Sequence, residues 1–306
     1  MSNTIAVSLS DEIQAALASK QPIVALESTV ISHGLPYPEN LTLAQELEDL
    51  VRGQGAVPAT IAIIEGQPKA GLSADEMERL ADGKTEVLKI SRRDFGSAIA
   101  RRCYGATTVA ATMIVAHQVG IQVFATGGIG GVHHGTDNDV SADLPELSQT
   151  PVAVVCAGAK SILDLPRTLE WLETFGVPVL GYGTTEFPAF YTRHSGLTLT
   201  DSVNSATEAA QVIAAQWGFG LTSGVLVTVP IPEAAALEPS YVDGLIQRAL
   251  EAADEQGVKG KEITPFLLSH LVEISDGKTL EANLALLRNN AQIAAKIAVE
   301  LATLNN

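Results

Sequence analysis

The sequence predicts a single α/β domain, residues 1–306, with a largely parallel central sheet flanked by helices. Short β-branched or apolar runs alternate with longer amphipathic stretches, which is typical of βα units. Hydrophobic residues make up 46% of the chain, aromatic residues only 5%, and there are 26 glycines. This composition favours small-residue packing between strands and helices over an aromatic-cored sandwich. No repeat of fixed period and no linker-like tract divides the chain.

The alternation of patterns predicts seven strands and eight helices. The predicted strands are Ile23–Leu26, Thr60–Ile64, Val87–Ile90, Gln122–Ala125, Val152–Cys156, Val177–Tyr182 and Leu226–Val229. The predicted helices are Asp11–Ser19, Leu41–Gly53, Ser73–Ala81, Thr108–Val119, Ser161–Phe175, Ser205–Trp217, Pro239–Glu255 and Leu280–Leu301. The last segment, Gly260–Asn306, carries asparagines among its apolar positions and is expected to cap either the site or a subunit interface.

Charge and composition limit the classes of partner. The formal net charge is −16 and no window is strongly basic, so a nucleic acid polymer would meet a repulsive field. A small phosphorylated substrate stays possible, because a few local cations and backbone amides suffice to bind one phosphate.

Cysteine usage and the N-terminal segment favour a cytoplasmic location. Cys103 and Cys156 lie far apart and show no metal-ligand or CxxC spacing, so both are expected to be reduced core residues. Residues 1–11 are polar, without the basic and apolar regions of a secretion signal, and no apolar run reaches the length of a membrane span. The prediction is therefore a cytoplasmic protein without a membrane partner.

In a parallel sheet, ligands bind beyond the carboxyl ends of the strands, which directs attention to the polar residues there. Lys160 follows the predicted strand Val152–Cys156 by a turn of small residues and is expected to open the next helix. Partial burial and the positive helix end would favour its neutral amine, which is the form that attacks carbon and builds Schiff bases. The alternative interpretation is an ordinary surface lysine at a helix start.

Glu27 and Lys89 also stand at predicted strand ends. A partly desolvated carboxylate at position 27 would have a raised pKa suited to acid/base work, whereas the alternative is a helix cap or an ion-pair partner. Lys89 suits a phosphate or a substrate oxygen, although solvation is the commoner fate of a lysine beside Arg92 and Arg93.

Two loops complete the set of candidates. The glycine-rich run 126–135 offers unhindered backbone amides that can bind an anion. The alternative interpretation of this run is a flexible turn. The carboxylates of the acidic loop 136–143 suit a site for Mg²⁺ or Mn²⁺. The alternative interpretation is that these carboxylates are solvated and bind no metal. His133 and His134 stand close enough in sequence to join a metal, but turn histidines more often form hydrogen bonds at the surface.

Taken together, these motifs resemble the pseudouridine-5'-phosphate glycosidase family, which includes the indigoidine synthase A-like proteins. The resemblance covers nearly the whole chain. It rests on the stretches VALESTVISHGLPYPEN (24–40), ATIAIIEGQ (59–67), KISRRDFG (89–96), GATTVAATMIVAHQVGIQVFATGGIGGVH (105–133), DVSADLPEL (139–147), VAVVCAGAKSILDLPRTLEWLETFGVPVLGY (152–182), PAFY (188–191), TPFLL (264–268) and NLALLRNNAQIAAKIA (283–298). Departures from the family pattern are His134 in place of a common arginine, a short loop between Gly135 and Asp139, and Val229 in TVPIP.

The resemblance implies reversible cleavage of the carbon–carbon glycosidic bond of pseudouridine 5'-phosphate by water, giving uracil and ribose 5-phosphate through a lysine imine. It implies a homotrimer, with Lys160 as the nucleophile, Glu27 as the proton donor and Asp139 as a ligand of Mn²⁺ or another divalent cation. The substrate-lining residues that it implies are Lys89, Val109, Ser141, Ala142 and Asp143. The alternatives are another Schiff-base lyase or aldolase acting on sugar phosphates, and a non-catalytic accessory protein of pigment biosynthesis.

Overall fold

The computed structural model describes residues 5–135, 139–258 and 263–304. Its strands are β1 (Ser8–Leu9), β2 (Ile23–Glu27), β3 (Val57–Ile64), β4 (Gln67–Ala70), β5 (Val87–Ile90), β6 (Tyr104–Thr107), β7 (Val123–Ala125), β8 (Ala153–Cys156), β9 (Val179–Tyr182), β10 (Asp201–Val203) and β11 (Val225–Thr228). Its α-helices are α1 (Asp11–Ala18), α2 (Thr29–His33), α3 (Glu39–Gly53), α4 (Ala74–Ala81), α5 (Phe95–Ala100), α6 (Val109–Val119), α7 (Asp143–Leu147), α8 (Leu165–Thr174), α9 (Ala206–Gly218), α10 (Pro239–Glu255), α11 (Ile263–Ile274) and α12 (Lys278–Leu304).

The strands form one mixed sheet in the order β1-β4-β3-β2-β7-β8-β11-β9-β10. From β2 to β10 every neighbouring pair is parallel, so the carboxyl ends of these strands lie at one edge. A side branch, β5 paired with β6, joins the sheet through an antiparallel pairing of β6 with β3. The predicted α/β class with a largely parallel sheet is therefore confirmed.

The central strands are buried on both faces, as parallel strands covered by helices must be. All four residues of β8 and of β11 are buried. One contiguous apolar core extends from Ile13 to Leu301 and includes both the sheet and the long helix α12. That helix packs against α9, α3, β7 and β8, so the end of the chain covers one face of the sheet.

All seven predicted strands are present, with ends shifted by at most a few residues. The four that the sequence did not predict are short or polar: β1, β4, β6 and β10. Of these, β4 forms a tight hairpin with β3, and the turn residues Glu65 and Gly66 both have positive φ, 50° and 80°. This geometry belongs to a two-residue hairpin turn, whose usual sequence signal is an Asn-Gly or Asp-Gly pair.

The prediction that a helix starts at Ser161 is wrong. Helix α8 begins at Leu165, with Asp164 as its N-cap, and the Asp164 carboxylate accepts a hydrogen bond from the Arg167 N–H at 3.0 Å. Pro166 occupies the first turn, where its missing N–H costs nothing. Lys160 therefore lies in the loop before α8, and the argument from a helix dipole does not apply to it.

Cys103 and Cys156 are both free, but only Cys156 is a buried core residue, whereas Cys103 is partly exposed. Burial raises the pKa of the Cys156 thiol to about 12. Within the three described ranges, no helix combines the length and the apolar character needed to cross a membrane.

The cap of α8 gives a direct test of its start. Replacing Asp164 by alanine removes the acceptor for the first turn and should lower the free energy of unfolding by about 1 kcal/mol. Urea denaturation measures this loss, and Glu170→Ala, an exposed change in the same helix, is the matched control. An equal effect of the two substitutions would contradict the assigned cap.

Candidate active site

Glu27, Lys89 and Lys160 line one cleft at the carboxyl edge of the parallel strands. The cleft comprises two cavities: a larger one of about 490 Å³, called the outer cavity, and a smaller one of about 80 Å³, called the inner cavity. Both cavities are lined by these three residues together with Thr29 and Thr264. The three side chains that the sequence singled out are therefore gathered at one place, where the two cavities adjoin.

Glu27 is the last residue of β2 and is partly buried. Its carboxylate accepts a hydrogen bond from the hydroxyl of Thr126, the residue that follows β7. The N-cap position of α2 belongs to Ser28, so the alternative role of Glu27 as a helix cap is not observed. Burial raises the pKa of the Glu27 carboxyl above its usual range, while Lys160, Thr126 and Lys89 oppose that rise and Asp143 adds to it.

Lys160 is held through its backbone rather than by a helix. Its N–H donates to the Ile129 carbonyl at 3.1 Å, and its own carbonyl accepts from the Leu163 N–H at 3.0 Å. Ile129 and Ala159 also form a parallel bridge, which extends the β7–β8 pairing into the two loops. The position of Lys160 therefore depends on the glycine-rich loop beside it.

Lys89 reaches the cleft from the side branch of the sheet. It lies within β5, which pairs with β6 rather than with the central parallel strands. Ser91, Arg92 and Arg93 continue the same wall of the outer cavity. Although the whole chain is acidic, this wall is basic and suits a small anionic substrate.

The implied substrate-lining residues Val109, Ser141, Ala142 and Asp143 all line the outer cavity. Asp143 has a second task, which the sequence did not predict. One carboxylate oxygen accepts from the Ala110 N–H at 3.0 Å, and the other accepts from the Gly130 N–H at 2.8 Å. One backbone N–H of the glycine-rich loop thus binds the protein's own carboxylate, and the use of this loop for a substrate anion stays a prediction.

Gly130 makes this contact possible. A Cβ at this position would lie 2.6 Å from the Ser141 Cβ and 2.8 Å from an Asp143 carboxylate oxygen. Separations this short do not occur between such atoms, so a larger residue would displace the acidic segment from the loop. Gly130 is therefore required for close packing between the loop and the acidic segment.

Asp139 lines the outer cavity and is exposed. Its carbonyl accepts from the His133 N–H at 3.0 Å, and His133 lines the same cavity, where burial lowers the pKa of its imidazole. Among residues 5–135, 139–258 and 263–304, no three His, Cys, Asp or Glu side chains form a ready metal cluster. Asp137 and the short loop 136–138 lie outside the described residues. A single exposed carboxylate fits a divalent cation that keeps most of its waters.

His134 does not share this environment. It lines a different cavity of about 730 Å³, together with Ser161, His194 and residues of α10. The described residues that line that cavity do not include Glu27, Lys89 or Lys160. The two adjacent histidines thus face different spaces.

An ion pair between the exposed Arg92 and the buried Glu146 joins the two walls of the outer cavity. The Arg92 guanidinium donates to both carboxylate oxygens of Glu146, at 2.6 and 2.7 Å, and Glu146 is fully buried in α7. The Thr150 hydroxyl donates to the same carboxylate. Arg92 thereby ties the basic wall to the acidic segment that carries Ser141 and Asp143.

The fold and the cleft define a class: an α/β enzyme-like domain with a lysine, a carboxylic acid and a basic wall at the carboxyl edge of a parallel sheet. The model of the indigoidine synthase A-like protein family matches residues 12–300. The chain belongs to that family.

Relatives and solved structures agree with this assignment. A protein of Caldanaerobacter subterraneus subsp. tengcongensis named pseudouridine-5'-phosphate glycosidase is 55% identical over 96% of both chains. One of the same name from Staphylococcus aureus is 54% identical, again over 96% of each. Among solved structures, the prealnumycin C-glycosynthase AlnA in complex with ribulose 5-phosphate has a TM-score of 0.90 and 40% identity, covering 98% of both chains. An indigoidine synthase A-like protein of Thermotoga maritima has a TM-score of 0.89 and 36% identity, covering 97% of both chains.

Some residues of the site carried no clear sequence signal. Thr126 contacts Glu27, and Arg92 contacts Glu146. Both contacts join residues that are distant along the chain, so no local sequence pattern indicates them. For Asn283, which lines the inner cavity, the signal was a polar residue in an otherwise apolar helix pattern.

The Arg92–Glu146 pair predicts a stability effect. Arg92→Met leaves a fully buried carboxylate without its cation and should lower the free energy of unfolding by about 2 kcal/mol. Arg93→Met is the control, because Arg93 is exposed and its nearest carboxylate oxygen, on Asp94, lies 3.8 Å away. Its effect should stay within about 0.5 kcal/mol. Chemical denaturation measures both variants, and equal stability of Arg92→Met and the parent protein would refute the role of the pair.

Proposed function

We propose that this chain is a pseudouridine-5'-phosphate glycosidase, which reversibly cleaves the C1'–C5 bond with water to give uracil and ribose 5-phosphate. The observation that carries the proposal is the convergence of Lys160 and Glu27 on one cleft beside the basic wall of Lys89 and Arg93. Curated relatives more than half identical to the chain bear this name, and a structural neighbour that makes C-glycosides was solved with a pentose phosphate.

This bond requires an unusual mechanism. In a C-nucleoside the base is attached through carbon, so direct departure of the base would generate a uracil carbanion. Ring opening avoids that intermediate. In the proposed first step the Glu27 carboxylic acid protonates the ribose ring oxygen, the bond from C1' to that oxygen breaks, and electrons from uracil leave C1' electrophilic.

Lys160 then forms a bond to C1' in its neutral form. The proton that the amine loses is delivered to C5 of uracil, the C1'–C5 bond breaks, and the sugar remains as an iminium on Lys160. Water adds to the iminium carbon, the C–N bond breaks, and ribose 5-phosphate leaves while Glu27 recovers its proton as the sugar ring closes. The raised pKa of Glu27 suits this role, because more of the carboxyl is protonated near neutral pH.

Lys89 and the residues of the outer cavity would hold the sugar phosphate. Ser141 offers a hydroxyl and Val109 an apolar wall at the start of α6, while Ala142 adds a small surface. Asp143 positions the glycine-rich loop through its two backbone contacts, so we assign it a positioning role beside any substrate contact.

For the metal, we propose Mn²⁺ or another divalent cation at Asp139, with His133 as a neighbouring donor. The bound cation would supply positive charge to polar oxygens of the substrate.

For the assembly and location, we propose a cytoplasmic homotrimer. Helix α11 supports a subunit contact, because it is strongly apolar and yet only Leu267 and Leu271 in it are fully buried. Sedimentation of the purified protein and cell fractionation test these two assignments.

The covalent step is tested by trapping. Borohydride reduction with ribose 5-phosphate should fix the sugar on Lys160, as found by peptide mass mapping, and Lys160→Ala should lose both the adduct and the release of uracil by at least 10³-fold. Lys84→Ala, at a highly exposed surface lysine, should leave both unchanged. An adduct on another lysine, or uracil release by folded Lys160→Ala, would overturn the mechanism.

The same assay separates the two alternatives. An aldolase or other Schiff-base lyase would be trapped on a lysine but would release no uracil from pseudouridine 5'-phosphate. A non-catalytic accessory protein would bind the substrate without turnover at any metal concentration.

Removal of the metal gives an independent prediction. Chelation should lower uracil release, Mn²⁺ should restore it, and the melting temperature should change little, because one exposed carboxylate contributes little to folding. Asp139→Asn should raise the Mn²⁺ concentration needed for half-maximal activity by about 10-fold or more. Activity that is insensitive to chelator, together with an unaltered Asp139→Asn variant, would exclude Asp139 as a metal ligand.

A further inference from the structure

Asn290 is a polar residue in a buried position of helix α12. Its side chain is 1% exposed, and its amide nitrogen donates to the Thr126 carbonyl at 2.9 Å and to the Gly127 carbonyl at 3.3 Å. Its amide oxygen is buried and has no hydrogen-bond partner among the described residues. A buried amide with one unpaired end calls for an explanation other than stability.

The cost of this arrangement can be compared with an apolar alternative. An unpaired buried acceptor is costly, and the hydrogen bonds of the amide nitrogen offset only part of that cost. Leucine has a similar volume and fits the apolar surroundings, where Leu286, Leu287, Ala291 and Ala294 are all buried. What asparagine offers over leucine is therefore its pair of hydrogen bonds to the two loop carbonyls.

The two carbonyls that Asn290 binds belong to Thr126 and Gly127, the first residues of the glycine-rich loop that follows β7. The Thr126 N–H donates to the Val155 carbonyl at 3.0 Å, and the Gly127 carbonyl accepts from the Ala157 N–H at 2.8 Å. These contacts fix the segment on the side of β8. Asn290 adds two hydrogen bonds to the same segment from helix α12.

Thr126 connects Asn290 to Glu27, because its backbone carbonyl binds Asn290 and its side chain binds Glu27. The Thr126 hydroxyl donates to the Glu27 carboxylate, and the direction of this hydroxyl depends on how the Thr126 backbone is held. We propose that Asn290 is a positioning residue, which holds the Thr126 and Gly127 carbonyls so that the Thr126 hydroxyl stays directed at Glu27. This inference rests on the role of Glu27 as proton donor in the proposed function.

The consequence appears in the pH dependence of the reaction. Glu27 is faced by Lys160 from the loop after β8, by Lys89 from β5 and by Asp143 from α7, and His33 of α2 lines the same inner cavity. Burial raises the pKa of Glu27, and the hydrogen bond from Thr126 counteracts part of that rise. Loosening the hydrogen bond should raise the pKa further. Because the acid works in its protonated form, activity would then persist to higher pH.

The test is a double-mutant cycle in the full-length enzyme, with uracil release measured across pH. Asn290→Leu should lower kcat about 10-fold, since Glu27 is misaligned, and should move the alkaline limb of the pH profile to higher pH. Thr126→Val should move the limb in the same direction. The double variant should move it no further than Thr126→Val alone, because both changes act through one hydroxyl.

Two controls separate positioning from general packing. Asn289→Leu changes the adjacent, partly exposed asparagine of the same helix and should leave kcat and the pH profile as they are. Thr126→Ser keeps the hydroxyl and should retain the alkaline limb of the parent enzyme. If Asn290→Leu does not fold, Asn290→Ala, which adds no volume, takes its place in the cycle.

A readout that needs no turnover completes the design. The Glu27 carboxyl is titrated by ¹³C NMR in the free protein and identified by its absence in Glu27→Gln. A higher titration midpoint of Glu27 in the Asn290 variant than in the parent protein supports the inference. Failure of the parent protein to release uracil would reject the proposed function but would leave this comparison of midpoints valid. An unchanged midpoint, or an additive shift in the double variant, would overturn the positioning role.

Discussion

The site depends on a parallel pairing that continues beyond the strands themselves. β7 and β8 are in register from Val123 to Ala125, and the bridge between Ile129 and Ala159 extends the contact into their loops. The Lys160 N–H then donates to the Ile129 carbonyl. Because β2 pairs with β7 on the other side, Glu27 stands at the same edge. The relative placement of the acid and the amine is thus set by backbone hydrogen bonds, which tolerate side-chain changes around them.

Buried carboxylates organise the remaining walls. Asp143 binds two backbone N–H groups, at the start of α6 and in the glycine-rich loop, while Glu146 holds Arg92 from inside α7. Backbone amides and a guanidinium compensate these charges, which would otherwise be costly to bury. A strongly acidic protein can in this way present a basic wall, because some of its carboxylates are used within the framework rather than exposed in the cleft.

The fold could be predicted where the sequence pattern was long and apolar. Runs such as Val152–Cys156 identify buried parallel strands, but β1 and β10 are too short to show a period. The start of α8 was misplaced because Ile162, Leu163 and Leu165 continue the apolar pattern of the helix through the preceding turn. Asp164 followed by Pro166 was the signal that locates the true start.

In the site, the strand-end rule and the family resemblance identified Glu27, Lys89 and Lys160. The contacts of Thr126, Glu146 and Asp143 could not be predicted in this way, because their partners lie far along the chain.

Helix α12 has a consequence for biosynthesis. It contributes Asn283 and Leu287 to the inner cavity, and Asn290 contacts the loop beside Glu27, although α12 follows every strand of the sheet in the chain. The strands from β1 to β11 are all translated before it. A nascent chain interrupted before Lys278 would carry the proposed nucleophile and acid on an incomplete wall, with the apolar face of the sheet open to water. The proposed site is therefore complete only after α12 has been translated and has packed against the sheet.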